Sequence, residues 1–290
     1  MEKGKISLYC RYLEVTTQAF NKYIKNRNKP RKYYQIEQMI LQILKIDECN
    51  DKYGKIRMTE ALKQEFPNKK IPSESVIYRI MQNMGIKHRP VKGPKGITKA
   101  NKNAKKSEDL LKRDFYSNEP YRKLITDITE IKVKNKKLYV SAIFDCFSLK
   151  VLGIAIREYM TAELVIEALR NAYIKYPQIR GAIIHSDRGS QYTSKEYRDL
   201  LNVYGITQSM NSSSGRCHDN ARCEAMWGRM KVELLYKRYK TKNMDFEIVK
   251  ELIWRYFMSY WNNRRICSAI GNMTPTMKEL IYYNKAIHIA

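Results

Sequence analysis

The chain predicts a mixed α/β protein, with a sheet-based core preceded by small all-helical units and followed by further helices. Three observations predict it. Apolar positions recur at helical spacing through about residue 86. Three apolar, β-branched segments then follow one another from Leu124, and short apolar strands alternate with helical stretches after them.

Taken in order, residues 6–27 read as two short helices broken near Glu14–Val15. Leu8, Leu13, Phe20 and Ile24 supply apolar positions, and Thr16 or Thr17 can cap the second helix. Ile36, Met39, Ile40, Ile43 and Leu44 mark a third helix, and Met58–Phe66 a fourth. A fifth starts at Pro72, Ser73 and Ser75, carries Val76, Ile77, Ile80 and Met81 inward and stops at Gly85. Short helices with tight turns fit helix-turn-helix modules, whose second helix enters the major groove. The periodicity fits a plain helical bundle equally well.

Lys87 to Lys106 holds eight Lys or Arg and no acidic residue, with Pro90, Gly93, Pro94 and Gly96 breaking any helix. Such a strap can follow a phosphate backbone without reading sequence. Leu124–Val133, Lys137–Asp145 and Val151–Arg157 read as strands, with a hairpin tip at 135–137. Thr161 can cap a helix running to Tyr176. The short strand AIIH ends beside Asp187, and a helix at 194–203 and a strand at 206–209 follow. Helices are expected at 219–240, 244–261 and about 274–286. The domain reading is a short helix-turn-helix unit at 1–33 and a helix-turn-helix DNA-binding domain at 34–90. A basic linker at 91–118, a catalytic core at 119–240 and a C-terminal helical extension at 241–290 complete it.

Charge narrows the partner. The net charge is +26, with +15 in residues 1–118 and +11 in 119–290, a field that favours a polyanion such as nucleic acid. Six cysteines form no CxxC pair, which reads as a reducing compartment. Cys217, His218 and Cys223 lack a second ligand pair at finger-like spacing, so they are not read as a zinc site. No apolar run approaches the ~18 residues of a membrane span. The expectation is a soluble, cytoplasmic, nucleoid-associated protein without a membrane partner.

Three carboxylates carry the chemistry. Asp127 sits mid-strand in LITDIT, an apolar setting where a charge needs a counter-ion. Asp187 falls just past the AIIH strand, where α/β sheets place ligands. Glu224 lies in the first turns of the helix from about Asp219. Each alone has an ordinary reading as a cap, a turn residue or a solvated helical side chain. Together they can hold two divalent ions ~3.5–4 Å apart, and such a pair activates a hydroxyl and relieves charge on a leaving oxygen. Lys231, seven residues after Glu224, would share its helix face with Trp227 between them. That face would offer a ligand, an aromatic for a base and a cation for a phosphate, although core packing is the plain alternative for Trp227.

HSDRGSQYTS at 185–194, CHDNARCEAMWGRMKVEL at 217–234 and YWNNRRICSAIGNMTPTMKEL at 260–280 resemble insertion-sequence transposases of the retroviral-integrase superfamily, specifically the second-frame product of the IS three family. TDIT at 126–129 resembles the first catalytic strand and DCFSLKVLG at 145–153 the hairpin after it. YGKIRMTEALKQ at 53–64 and SVIYRIMQNMGI at 75–86 resemble the family's helix-turn-helix segment, so the resemblance covers nearly the whole chain.

The resemblance implies an RNase H-like integrase core and a DDE transposase with Asp127, Asp187 and Glu224 as catalytic metal ligands for two Mg²⁺ or Mn²⁺ ions. It implies DNA contact by Lys231, and Trp227, Arg188, Asn220 and Arg264 are taken as further DNA-binding candidates. The implied substrates are the element's terminal inverted repeats and target DNA, transposed through a circular intermediate by a homo-oligomer on DNA. A first-frame product is the implied fusion or partner, since no sustained heptad appears here. The interval between Asp187 and Glu224 holds 36 residues, one more than is usual in the family. The extra residue falls in the loop Asn211–Gly215, which also lacks the family's Arg or Lys. Two rivals remain: a catalytically inactive or domesticated DNA-binding protein, and a nuclease of the same fold that hydrolyses without joining.

Overall fold

Lys123–Val133 forms β1, an 11-residue strand buried along most of its length. It pairs antiparallel with β2 (Lys136–Asp145), which pairs antiparallel with β3 (Val151–Arg157). A left-handed Asn135, φ 54°, turns the first hairpin, as the NKK tip predicts. The computed structural model describes residues 5–27, 32–86, 107–112, 114–211, 221–236 and 238–287. The strap from Lys87 to Lys106, most of the Asn211–Gly215 loop, Cys217, His218 and Asn220 lie outside them.

From β3 the chain crosses through α6 (Ala162–Lys175) to β4 (Ile183–Ser186), which runs parallel to β1. Helix α7 (Lys195–Tyr204) returns it to β5 (Thr207–Met210), parallel to β4. The sheet order is β3-β2-β1-β4-β5, the arrangement of an RNase H-like core. Gly153 lets α6 lie against β3. A Cβ there would stand 2.3 Å from the Ala168 carbonyl oxygen and 2.6 Å from the Ala172 nitrogen. Ser194 caps α7 by accepting from the Tyr197 N–H at 3.2 Å. Thr161 holds the cap position of α6, but its side chain makes no capping bond.

The two faces of the sheet bury different partners. Leu124, Ile128, Ile143 and Leu152 pack under α6 and α7. Ile125, Ile131, Val140, Phe144 and Ile154 pack on the other face with α8 (Ala221–Met230), α9 (Phe246–Arg255) and the segments after them. The helices expected at 219–240 and 244–261 are both interrupted. A widened π-helical turn, Lys231–Leu235, ends the first at Tyr236, and another, Tyr256–Trp261, widens the second before it runs on to Asn263. Helix α10 (Pro275–Ile287) closes the described chain.

N-terminally, α1 (Ile6–Tyr12) and α2 (Thr17–Asn26) form a hairpin in which Thr16 caps α2, accepting from Ala19 N–H at 3.1 Å. Next, α3 (Tyr34–Ile46), α4 (Lys55–Glu65) and α5 (Glu74–Asn83) bury Ile40, Ile43, Met58, Leu62, Ile77 and Ile80. Their apolar face joins the core beneath α8 and α9. Polar contacts follow the same seam: Arg57 to Glu233 at 3.0 Å, and Arg238 to Asp51 at 2.7 Å.

Candidate active site

Strand register brings two of the carboxylates level. Ile125 pairs with His185 across the parallel β1–β4 ladder, so Asp127 and Asp187 each stand two residues further along neighbouring strands. Asp127 shares the face of Ile125, which α8 covers, and is 8% exposed. Asp187, half-buried, leaves the sheet in a tight turn. Its Oδ1 accepts the Gly189 N–H at 2.9 Å. A Cβ on Gly189 would come within 3.0 Å of that oxygen, so a bare backbone suits this position. Glu224, exposed near the start of α8, adds its charge to those acting on Asp127.

The electrostatics of Asp127 register both other carboxylates. Burial raises its pKa well above the carboxylate range, and the charges of Asp187 and Glu224 push it further in the same direction. The Ile128 N–H and the Trp227 indole N–H work against them. The indole nitrogen is buried with no hydrogen-bond partner within range. Lys231 lies close enough for Asp127 and Glu130 to offset the lowering of its own pKa by burial. Among the described residues, no three His, Cys, Asp or Glu side chains stand close enough to hold one metal ion as they are.

The outcome for Trp227 is core packing. It is 4% exposed, with edge-to-face contacts to Phe144 and Phe257 at 5.5 Å. No ring face is left open for a base. Lys231 sits half-buried at the start of the widened turn, beyond the regular part of α8. Arg188 is half-buried directly after Asp187. Arg264 is exposed and distant in sequence, donating to the Ile46 carbonyl at 3.1 Å.

Supporting residues went unnoticed in the sequence. His185, 1% exposed, joins three elements: its Nδ1 meets Ser209 Oγ at 2.8 Å and its Nε2 meets Asn211 Oδ1 at 2.8 Å. Leu110 N–H donates to the same Ser209 hydroxyl at 3.0 Å. Ser209 can then donate to Nδ1, and Nε2–H to Asn211, which is one consistent tautomer. Behind Asp127, the Thr126 and Tyr192 hydroxyls lie 3.3 Å apart. Burial and the Asp127 and Asp187 charges keep the Tyr192 phenol protonated.

Residues 117–216 match the integrase core domain family. With the sheet order above, that match places the core in the retroviral-integrase superfamily. The chain is 30% identical over 272 residues to InsK of insertion sequence element IS150 of Escherichia coli K12, an alignment covering 91% of this chain and 90% of that one. It is 27% identical over 278 residues to the transposase InsF for insertion sequence IS3A of the same organism, covering 94% and 93%. Among solved structures, a simian T-cell lymphotropic virus intasome in complex with the PP2A regulatory subunit B56 gamma is 18% identical with a TM-score of 0.48, covering 76% of this chain and 70% of that one. The chain belongs to the insertion-sequence transposases of the retroviral-integrase superfamily, the proteins of DNA transposition and integration.

Proposed function

We propose that this chain binds the terminal inverted repeats of its own element and performs metal-dependent strand cleavage and strand transfer at Asp127, Asp187 and Glu224. The observation supporting it is the placement of the carboxylates: the β1–β4 register sets Asp127 and Asp187 level, and α8, which carries Glu224, covers the face of β1 that holds Asp127. Like charges gathered in a low-dielectric pocket are costly unless a cation joins them.

The donor set fits hard divalent ions, since all three groups offer carboxylate oxygens of the kind Mg²⁺ or Mn²⁺ takes. Asp127, Asp187 and Glu224 are the residues that would hold the ions. When bound, such ions supply an activated hydroxyl and charge relief on the leaving oxygen. The protein's own groups do the positioning. The Gly189 N–H fixes the Asp187 oxygen, and Lys231 brings a cation for a phosphate near Asp127. No side chain of the protein need be the nucleophile, because water or a DNA 3′-hydroxyl serves.

DNA reading falls to α1–α2 and α3–α5, and the excess positive charge of both halves suits the phosphate backbone. The expected assembly is a homo-oligomer on DNA, with a first-frame product as fusion or partner. Among the described residues, no helix is long and apolar enough to cross a membrane.

The test is Asp187→Asn on DNA carrying the element's ends. Cleavage should vanish while end affinity stays within a few-fold, because a metal ligand is lost and no DNA contact. Equal loss of both would count against the reading.

A further inference from the structure

Two consecutive residues outside the carboxylate set, Asp114 and Phe115, touch all three elements that carry it. Asp114 is bound by Lys123, the first residue of β1, whose Nζ donates to its Oδ2 at 2.8 Å and to its main-chain oxygen at 3.1 Å. The Phe115 ring meets His185 of β4 edge to face, centroids 5.9 Å apart. The Phe115 carbonyl accepts from Nη1 of Arg222, in the first turn of α8. Strand β1 holds Asp127, β4 leads to Asp187, and α8 holds Glu224. The charge of Arg222 is felt at the end of β2 as well. It works against the burial that raises Asp145, and against the burial that raises the Cys146 thiol to about 12.

We propose that Arg222 is a positioning residue that holds the Glu224 end of α8 over Asp127 and Asp187 by anchoring it to the Phe115 carbonyl. The argument is geometric. Glu224 is exposed, and the other two carboxylates stand on β1 and just past β4 rather than on its own helix. Two residues before it, the guanidinium ties that turn to a segment already fixed on β1 and β4. A tie of that kind orients a ligand before the ion arrives, and losing such support typically costs on the order of tenfold in metal affinity. The proposal rests on the reading of the three carboxylates as ion ligands.

The experiment is Mn²⁺ binding to the full-length chain without DNA, followed by the paramagnetic resonance of free Mn²⁺. Wild type is compared with Glu224→Gln, Arg222→Ala and Arg222→Lys, each with a melting curve. Arg222→Ala should weaken Mn²⁺ binding on the order of tenfold while its melting point stays within a few degrees of wild type. Arg222→Lys should recover most of the loss, because an ammonium still donates to the carbonyl. Wild-type affinity in Arg222→Ala alongside weakened binding in Glu224→Gln would overturn the positioning role and leave the carboxylate reading standing. Wild-type affinity in both would overturn the two together. Where Arg222→Ala melts well below wild type, Arg222→Lys against Arg222→Met decides, since Met keeps length without a donor. Tighter binding by the Lys variant supports the tie, and equal affinities overturn it.

Discussion

Arg265 grips Glu233 with two parallel hydrogen bonds, Nε to Oε2 and Nη2 to Oε1, each 2.7 Å long, and both side chains are under 5% exposed. Arg57 of α4 reaches the same carboxylate at 3.0 Å, and the Tyr256 hydroxyl donates to it at 2.8 Å. The widened turn after α8, the N-terminal helices and the segment after α9 thus meet on one charge. The partners come from distant parts of the chain, so the cluster fixes how those parts sit.

Acid should therefore loosen this junction. Burial works to raise the Glu233 pKa, but Arg265, Arg57 and Tyr256 outweigh it and hold the group at about 2, against 4.5 unperturbed. A depressed carboxylate contributes stability that is complete above its unfolded pKa and is lost as pH falls through the folded one. The window here runs from about 4.5 down to about 2. Equilibrium unfolding from pH 7 to 2 should show a loss of about 3 kcal/mol across that window. Glu233→Gln should flatten the slope and destabilise the protein at pH 7 by about 3–5 kcal/mol, because it leaves Arg265 buried and unpaired.

Asp127 carries the opposite sign. Its folded pKa is raised by burial, Asp187 and Glu224. Without divalent ions, stability therefore declines as pH rises from the ordinary carboxylate range toward the raised value. Asp127→Asn should stabilise the protein in chelator at pH 7 by about 1–2 kcal/mol, a few degrees in melting temperature. Added Mg²⁺ should raise the melting temperature of wild type and leave this variant unmoved. A lower melting point for the variant in chelator would show that Asp127 is not held against repulsion.

Lys231 lies beside Asp127 and Glu130 at the start of the widened turn. Lys231→Ala should weaken DNA-end binding by about 1 kcal/mol and flatten the salt dependence of affinity by about one unit. Fluorescence anisotropy at several salt concentrations reads both quantities. An unchanged slope would remove Lys231 from the phosphate path.

Gly189 offers a test of geometry alone. A methyl group there would crowd Asp187 Oδ1 and Gln191 Oε1, each 3.0 Å from the new Cβ. Gly189→Ala should shift the Asp187 carboxylate by a few tenths of an ångström and cut strand cleavage at least tenfold, since small misplacements in such sites are costly. The melting temperature should change by no more than a few degrees, as neither crowded atom is backbone.

Much of this was legible in the sequence because it rests on local rules. Strand periodicity marks β1 to β3, Thr16 and Gly85 punctuate their helices, and an Asp interrupting the apolar LITDIT run stands out wherever it is read. What stayed hidden rests on distant partners. Glu233 looks like one more solvated helical glutamate until Arg265, 32 positions on, is brought against it. The widened turn leaves no mark in a 3.6-residue pattern. The anchor between Arg222 and Phe115 spans 107 positions and uses a main-chain oxygen, which no residue type announces. Trp227 was ambiguous for another reason: an aromatic three residues from a helical carboxylate can face a base or the core, and only the packing of Phe144 and Phe257 decides.

The most direct test of the central claim is an end-cleavage and strand-transfer assay. It uses the full chain, DNA carrying the element's inverted repeats, and Mg²⁺ and then Mn²⁺, with wild type set beside Glu224→Gln. The chain should nick and join DNA at the element's end, alone or fused to its first-frame partner, and the variant should give no product while still binding the ends. Equal product from wild type and variant, or specific end-binding with no product from wild type in either form and either metal, would contradict it.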